Sequence, residues 1–240
     1  MKLFYVPGAC SLSPHIVLRE VGATFDLVKV DLATRKTESG EDYLRINPRG
    51  YVPALQLDDG SVLVEGPAIV QYLADQNPSA GLAPAPTDRK RYDLQSWLTF
   101  IGTELHKQFS PLFNPAAVEQ QKAACVEALK GRFGYVANEL EKRPYLLGEQ
   151  YSVADAYLFV VLSWSAYVKL DLAPWPALQA FQQVGGALGP DHVGVMQQQH
   201  VHRAAAFAVI RGGLLDHAAP LIMPRRNPSS GRPASPAGSG

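Results

Sequence analysis

The sequence predicts a chain in two parts, a mixed α/β part followed by an all-helical part. Three observations carry this. Strand and helix signals alternate over residues 1–77, a stretch rich in proline and glycine covers 78–88, and strand signals vanish from 89 to 183. A length of 240 residues has room for two domains of ordinary size.

Leu3 to Val6 is a short apolar run closed by Pro7-Gly8 and reads as a strand. Ser11 to Val21 places Leu12, Ile16, Val17 and Val21 at helical offsets, and Gly22 follows as a stop. Phe25 to Asp31 alternates with period two and reads as a second strand. A short helix over Glu41–Ile46 leads into the turn Asn47-Pro48-Arg49-Gly50. Ala54–Leu57 and Val62–Val64, joined through Asp58-Asp59-Gly60, read as a hairpin. Glu65-Gly66-Pro67 then opens a helix, Ala68 to Asp75, with proline suited to the first helical turn. A βαβ unit gives parallel strands and a hairpin gives antiparallel ones. The order β-α-β-α-β-β-α therefore predicts a mixed four-stranded sheet flanked by helices, a thioredoxin-like topology.

Residues 78–88 contain Pro78, Gly81, Pro84 and Pro86 and read as a linker between domains. Arg89 to Phe109 is one long helix with Leu94, Trp97, Leu98, Ile101 and Leu105 along one stripe. Val118 to Leu140 is a second. Ser152-Val153-Ala154-Asp155 has the form of a capping box, with Asp in the usual Glu or Gln position, and opens the apolar helix Ala156–Val168. Pro176 to Gln183 is a last short helix. From 184 to 240 the character changes. Three glycines and a proline over 184–190 oppose a helix, and the end is rich in Pro, Gly and Ser, which predicts partial disorder.

Lys+Arg and Asp+Glu are each 22, so formal charge is zero. The basic excess that marks a nucleic-acid binder is missing. No apolar run reaches the ~18 residues of a membrane span, and the opening residues lack the form of a signal peptide. With 47% hydrophobic residues the chain can fill a core. Two cysteines, Cys10 and Cys125, are too few for a disulfide framework and read as reduced thiols of a cytoplasmic protein.

Cys10 follows a strand and a turn and stands at the start of a helix. Free N–H groups and the positive helix end there favour an anion, so a lowered thiol pKa is expected. A dithiol oxidoreductase would carry its second cysteine at position 13, which is Ser13. That favours single-thiol chemistry or thiol binding, and an inert buried cysteine also fits the spacing. Val52-Pro53 follows a turn and precedes a strand. Cis bonds make up only ~5–6% of X–Pro bonds, but a thioredoxin-like sheet at this point predicts one. Glu65 and Gly66 lie where a strand meets a helix, which suits a carboxylate on the helix N–H groups and an ammonium on Glu65. A simple dipole-matching charge fits equally well. His106 shares a polar helix face with Thr99, Gly102 and Thr103, a cleft wall or a solvated surface. His200-x-His202 has no third ligand at metal spacing and does not share a helix face, so no metal is expected.

Taken together, Met1-Lys2-Leu3-Phe4-Tyr5-x-Pro7-Gly8-Ala9-Cys10-Ser11-Leu12-Ser13, Asn47-Pro48-x-Gly50-x-Val52-Pro53-Ala54-Leu55, Glu65-Gly66-x-Ala68-Ile69, Glu104-Leu105-His106-Lys107 and Ala154-Asp155-Ala156-Tyr157-Leu158-Phe159 resemble the beta class of bacterial glutathione transferases over residues 1–183. Gly50-Tyr51-Val52-Pro53 and Trp164-Ser165-Ala166-Tyr167-Val168 are most similar to transferases associated with biphenyl degradation. The resemblance implies the glutathione transferase fold, glutathione as co-substrate without a metal, small electrophilic substrates and a homodimer. It implies that Val52 pairs with the glutathione backbone before a cis Pro53 and that Glu65 and Gly66 take its γ-glutamyl end. Cys10 and His106 would serve catalysis, with Ser11 and Lys107 near the sulfur and glycyl end. Arg35 and Thr99 stand where many members have Lys and Asn, and a residue like Glu104 reaches the partner subunit's ligand. Phe109, Phe113 and Trp164 are candidates for the hydrophobic substrate site.

Magnitudes permit the chemistry. A thiol of pKa ~8.5 needs roughly 2.7 kcal/mol to drop two units. A helix N-terminus supplies about 0.3–2 kcal/mol and one hydrogen bond to a charged sulfur ~1.5–3 kcal/mol. Two other functions share this scaffold. One is a thiol oxidoreductase or reductive dehalogenase forming a mixed disulfide at Cys10, and the other is a non-catalytic binder of hydrophobic ligands. After residue 183 the family pattern stops, and a reading-frame change or a protein-specific extension would explain the atypical end.

Overall fold

The computed structural model describes residues 1–186. The readings of 187–240, including His200-x-His202 and the frame change, lie outside the described residues.

Five strands, one more than expected, form one mixed sheet: β1 (Lys2–Tyr5), β2 (Asp26–Asp31), β3 (Lys36–Thr37), β4 (Ala54–Gln56) and β5 (Val62–Val64), in the order β3-β2-β1-β4-β5. β1 runs parallel to β2 and antiparallel to β4, so Leu3 pairs with Leu27 on one side and Leu55 on the other. The added strand is a two-residue antiparallel edge, Val30 opposite Thr37, too short for a periodic signal. The helix expected over Glu41–Ile46 is a single 3-10 turn, Tyr43–Arg45, begun by Asp42, whose carboxylate accepts the Leu44 N–H at 3.0 Å.

Alternation along β1 sends neighbouring side chains to opposite faces. Leu3 joins Leu55 and the buried residues of α1 (Leu12–Glu20) and α2 (Gly66–Gln76). Phe4 joins Val30, Tyr43 and Ala54 on the other face.

The stretch 78–88 is held near its middle by two carbonyls. Arg91 is buried, donates to the Pro84 carbonyl at 2.8 Å and pairs with the Asp75 carboxylate. The Leu82 carbonyl accepts the Val153 N–H at 2.9 Å.

The expected single helix 89–109 is interrupted. α3 (Lys90–Phe100) passes into a π-helical segment, Ile101–His106, and then α4 (Lys107–Phe113). Periodicity gives no warning, because Ile101, Leu105 and Phe109 stay buried through the change. α5 (Glu119–Leu140) and α6 (Val153–Tyr167) match the expected helices closely, and α7 (Pro176–Gly186) runs three residues past its expected end.

α6 is apolar around most of its circumference and forms the centre of the helical part, packing on α1. Its start is a polar knot. Ser152 donates its N–H (2.9 Å) and its hydroxyl (2.8 Å) to one oxygen of the fully buried Asp155 carboxylate, and the Leu146 N–H donates to the other at 2.9 Å. The capping box read from the sequence is present.

Candidate active site

The first wall of the site is the loop between β1 and α1. Gly8 takes φ +75°, a left-handed conformation that glycine adopts without steric cost. Ser11 is fully buried. Its hydroxyl donates to the Val6 carbonyl and accepts the Val6 N–H, each at 3.1 Å, which closes the loop. The Ser11 side chain therefore faces inward, where it holds the loop rather than meeting a ligand.

Cys10 is left half-buried at the lip of this loop, its thiol donating to the Val52 carbonyl at 3.4 Å. The expected depression of its pKa is overturned. Burial pushes the thiol up to about 11, outweighing the nearby backbone N–H groups, while Glu65 adds to the rise and Lys107 opposes it. The position relative to the helix also differs from the expected one. α1 begins at Leu12 with Ser11 as its first flanking residue, so Cys10 stands just ahead of the helix end rather than on it.

The second wall comes from the helical part. The π-helical segment ends in His106, whose Nδ1 lies 2.6 Å from the Tyr157 hydroxyl. Burial, and then the Lys107 charge, bring this imidazole down to about 4, so it is neutral at pH 7. Its ring meets the Trp164 ring edge-on at 4.7 Å. Trp164 Nε1 donates to the Gly8 carbonyl at 2.8 Å, fastening the helical wall to the Cys10 loop across 156 residues of sequence. Phe113 and Phe109 pack on Trp164 with centroids 5.8 and 5.6 Å away. Between the walls is a cleft of about 680 Å³ bordered by Gly8, Cys10, His106, Phe113, Trp164 and Tyr167. Phe109 is fully buried and backs it.

The other expected residues lie outside the lining of this cleft, Val52 reaching it through the carbonyl that accepts the Cys10 thiol. The Val52-Pro53 bond is cis. Glu65 has φ +70° at the head of α2 and pairs with Arg49 at 2.7 Å on the exposed surface, with Gly66 next to it in the first turn. Arg35, at φ +55°, donates to the Gly50 carbonyl, so its guanidinium supports the 47–50 turn. Lys107 is exposed at the start of α4. Thr99 and Glu104 do not border the cleft. Thr99 is exposed and its carbonyl accepts the Thr103 hydroxyl at 3.0 Å, while the Glu104 carboxylate accepts Arg132 Nε at 2.8 Å. Among the described residues no three His, Cys, Asp or Glu side chains cluster as a metal site.

Two family models match, described as glutathione S-transferase, N-terminal domain, over residues 8–76 and glutathione S-transferase, C-terminal domain, over residues 100–184. A glutathione S-transferase GstA of Escherichia coli O157:H7 is 48% identical over 183 residues, covering 76% of this chain and 91% of that protein. The chain belongs to the glutathione S-transferase family. Among solved structures, a ternary complex of BphK, a bacterial GST, is 61% identical with a TM-score of 0.77, covering 85% of this chain and all of that one. A sphingomonad glutathione S-transferase complexed with glutathione is 52% identical with a TM-score of 0.76, covering 83% and 98%.

In this glutathione S-transferase the cleft also uses residues that sequence reasoning missed. Tyr167 stands at its mouth, 70% exposed. Tyr157 is buried against His106 although 51 residues separate them. Both lie inside the apolar run of α6, where an aromatic residue is expected to be core, so periodicity does not mark them, although the motifs 154–159 and 164–168 contain them. The helices of the described residues include none long and apolar enough to cross a membrane.

Proposed function

We propose that this protein is a beta-class glutathione transferase that activates the glutathione thiol and joins it to small hydrophobic electrophiles. One observation carries the reading: the Cys10 thiol, which donates to the Val52 carbonyl, and His106 line one cleft together with the aromatic side chains of Phe113, Trp164 and Tyr167. Glutathione fits with its backbone along Val52, its γ-glutamyl end toward Glu65 and Gly66 at the head of α2, and its sulfur between Cys10 and His106. Thr99 and Glu104 lie outside the cleft lining and act at a subunit boundary in this reading.

The high pKa of Cys10 fits this reading well. At pH 7 it is a neutral S–H and not a competing anion, and by turning from the Val52 carbonyl it donates to a neighbouring thiolate. His106 is also neutral and holds a single N–H for the same purpose. Two donors at ~1.5–3 kcal/mol each cover the roughly 2.7 kcal/mol needed to lower the glutathione pKa by two units. The bound thiolate attacks the electrophilic carbon held against Trp164 and Phe113. A C–S bond forms and the leaving group departs with its electron pair. Holding both reactants makes the encounter effectively intramolecular.

Mixed-disulfide chemistry at Cys10 needs a thiolate there, which burial opposes, and position 13 holds the buried Ser13 rather than a resolving cysteine. A reducing cytoplasm suits two free cysteines, and a homodimer belongs to the same proposal. The kinship to biphenyl-associated transferases rests on the Tyr51 and Trp164–Val168 motif details. The test is an activity panel of a chloronitrobenzene, a hydroperoxide, a mixed disulfide and a chlorinated aromatic acid, with wild type and Cys10→Ala. Conjugation of the chloronitrobenzene by both proteins, weaker in the variant, supports the reading. Turnover confined to the mixed disulfide and abolished in Cys10→Ala overturns it.

A further inference from the structure

Tyr157 has 4% of its surface exposed, and its hydroxyl lies 2.6 Å from Nδ1 of His106. Two proton arrangements fit that distance. Either the hydroxyl donates to a bare Nδ1, or an Nδ1–H donates to the hydroxyl oxygen. The surroundings decide between them. Among the described residues, no acceptor besides Nδ1 comes within hydrogen-bonding distance of the hydroxyl. If Nδ1 were the donor, the phenolic proton would be buried without a partner, which is costly. If the hydroxyl donates, both groups are satisfied, because an oxygen tolerates an idle lone pair far better than a buried donor tolerates having no acceptor.

The ionisation states agree with the geometry. Burial, reinforced by Cys10 and Glu65, raises the phenol well above its ordinary value, so Tyr157 keeps its proton. His106 is neutral and has one N–H to place. Its ring is wedged between the Tyr157 and Trp164 rings, meeting each at 73°, a setting that resists reorientation.

We propose that Tyr157 is a positioning residue: by donating to Nδ1 of His106 it holds the imidazole proton on Nε2, the nitrogen left for the cleft that His106 lines. A hydrogen bond made by one ring nitrogen of histidine sets the proton on the other. Resting on the glutathione reading above, the Nε2–H is then a fixed donor toward the glutathione sulfur. Without Tyr157 the imidazole is free to place its proton on Nδ1, offering the sulfur a lone pair instead of a proton.

Two measurements test this, and their failures are distinguishable. The first needs no glutathione. Imidazole nitrogen resonances of ¹⁵N-histidine-labelled wild type are recorded, with His106 assigned by its loss in His106→Gln. Nδ1 of His106 is expected at the pyridine-like end and Nε2 at the pyrrole-like end, with both moving toward an average in Tyr157→Phe. A pyrrole-like Nδ1 in the wild type overturns the proposal. The second is kinetic. Tyr157→Phe is expected to lower kcat about tenfold while the glutathione KM stays within about twofold, the pattern of an interaction that matters in the transition state. An unchanged kcat in a variant with native circular dichroism overturns it as well. If the wild type has no transferase activity, the function reading fails while the nitrogen spectrum still judges the proton assignment.

Discussion

The two ends of α6 are built on opposite plans. At its start, the buried Asp155 carboxylate receives three donors from Ser152 and Leu146, a closed knot with every partner within the protein. Toward its other end, Trp164 and Tyr167 border a cleft where Cys10 is half-buried and Phe113 is half-exposed. The first region is arranged to hold the helix in place. The second keeps donors and aromatic surface available to something else. Substitutions at the knot should therefore cost stability and leave the chemistry of each folded molecule intact, while substitutions at the cleft should do the reverse.

The largest expected effect is at the knot. Asp155→Ala strands three buried donors, and each buried donor left unmet costs ~1–3 kcal/mol. A loss of about 3 kcal/mol or more is expected in urea unfolding, with near-normal turnover per folded molecule well below the transition. An unchanged urea midpoint would break the comparison at its stable end.

Next comes the reactivity of Cys10. With its pKa pushed up to about 11 against an ordinary ~8.5, roughly 300-fold less thiolate is present at pH 7.5 than in a free cysteine. Iodoacetamide labelling of Cys10 in the free protein should be correspondingly slow and should climb steadily with pH toward 11. The stability effect has a definite sign. The unfolded chain loses this proton first, so Cys10 makes the fold less stable as pH rises from about 8.5 through 11. Fast labelling at pH 7.5 would restore the lowered pKa expected from the sequence.

Phe113→Ala sharpens the cleft side. The side chain is 48% exposed, so a stability loss under about 1 kcal/mol is expected. The efficiency kcat/KM for an aromatic electrophile should fall about tenfold, since a lost apolar contact is worth ~1–3 kcal/mol. Equal losses of stability and activity would erase the distinction between the two ends. Smallest is Ser152→Ala, expected to cost about 1 kcal/mol as a lost cap, readable as a shift of the urea midpoint without a change in glutathione affinity.

The two ends also differ in how far the sequence reveals them. The knot is local, with Ser152 and Asp155 three residues apart, so its pattern can be read directly. The alternating strands are local in the same sense, and Leu3 and Phe4 fall on the faces their period assigns. The cleft is not local. The contact of Trp164 with Gly8 spans 156 residues and that of His106 with Tyr157 spans 51, and no window along the chain contains either pair. The π-helical segment is hidden because the apolar stripe continues through it. Cys10 is expected at the start of a helix and stands just ahead of it, and its ionisation is set first by burial, which spacing along the chain does not record.

The most direct test of the cleft's role is the ionisation of glutathione bound within it. The ultraviolet absorbance of the thiolate, titrated against pH with saturating glutathione, reports the pKa of the bound sulfur. A value at least one unit below the ordinary ~8.5, rising back toward it in His106→Gln, is the result this account predicts. A saturable complex whose thiol titrates at its ordinary value, or no saturable complex at all, would contradict it.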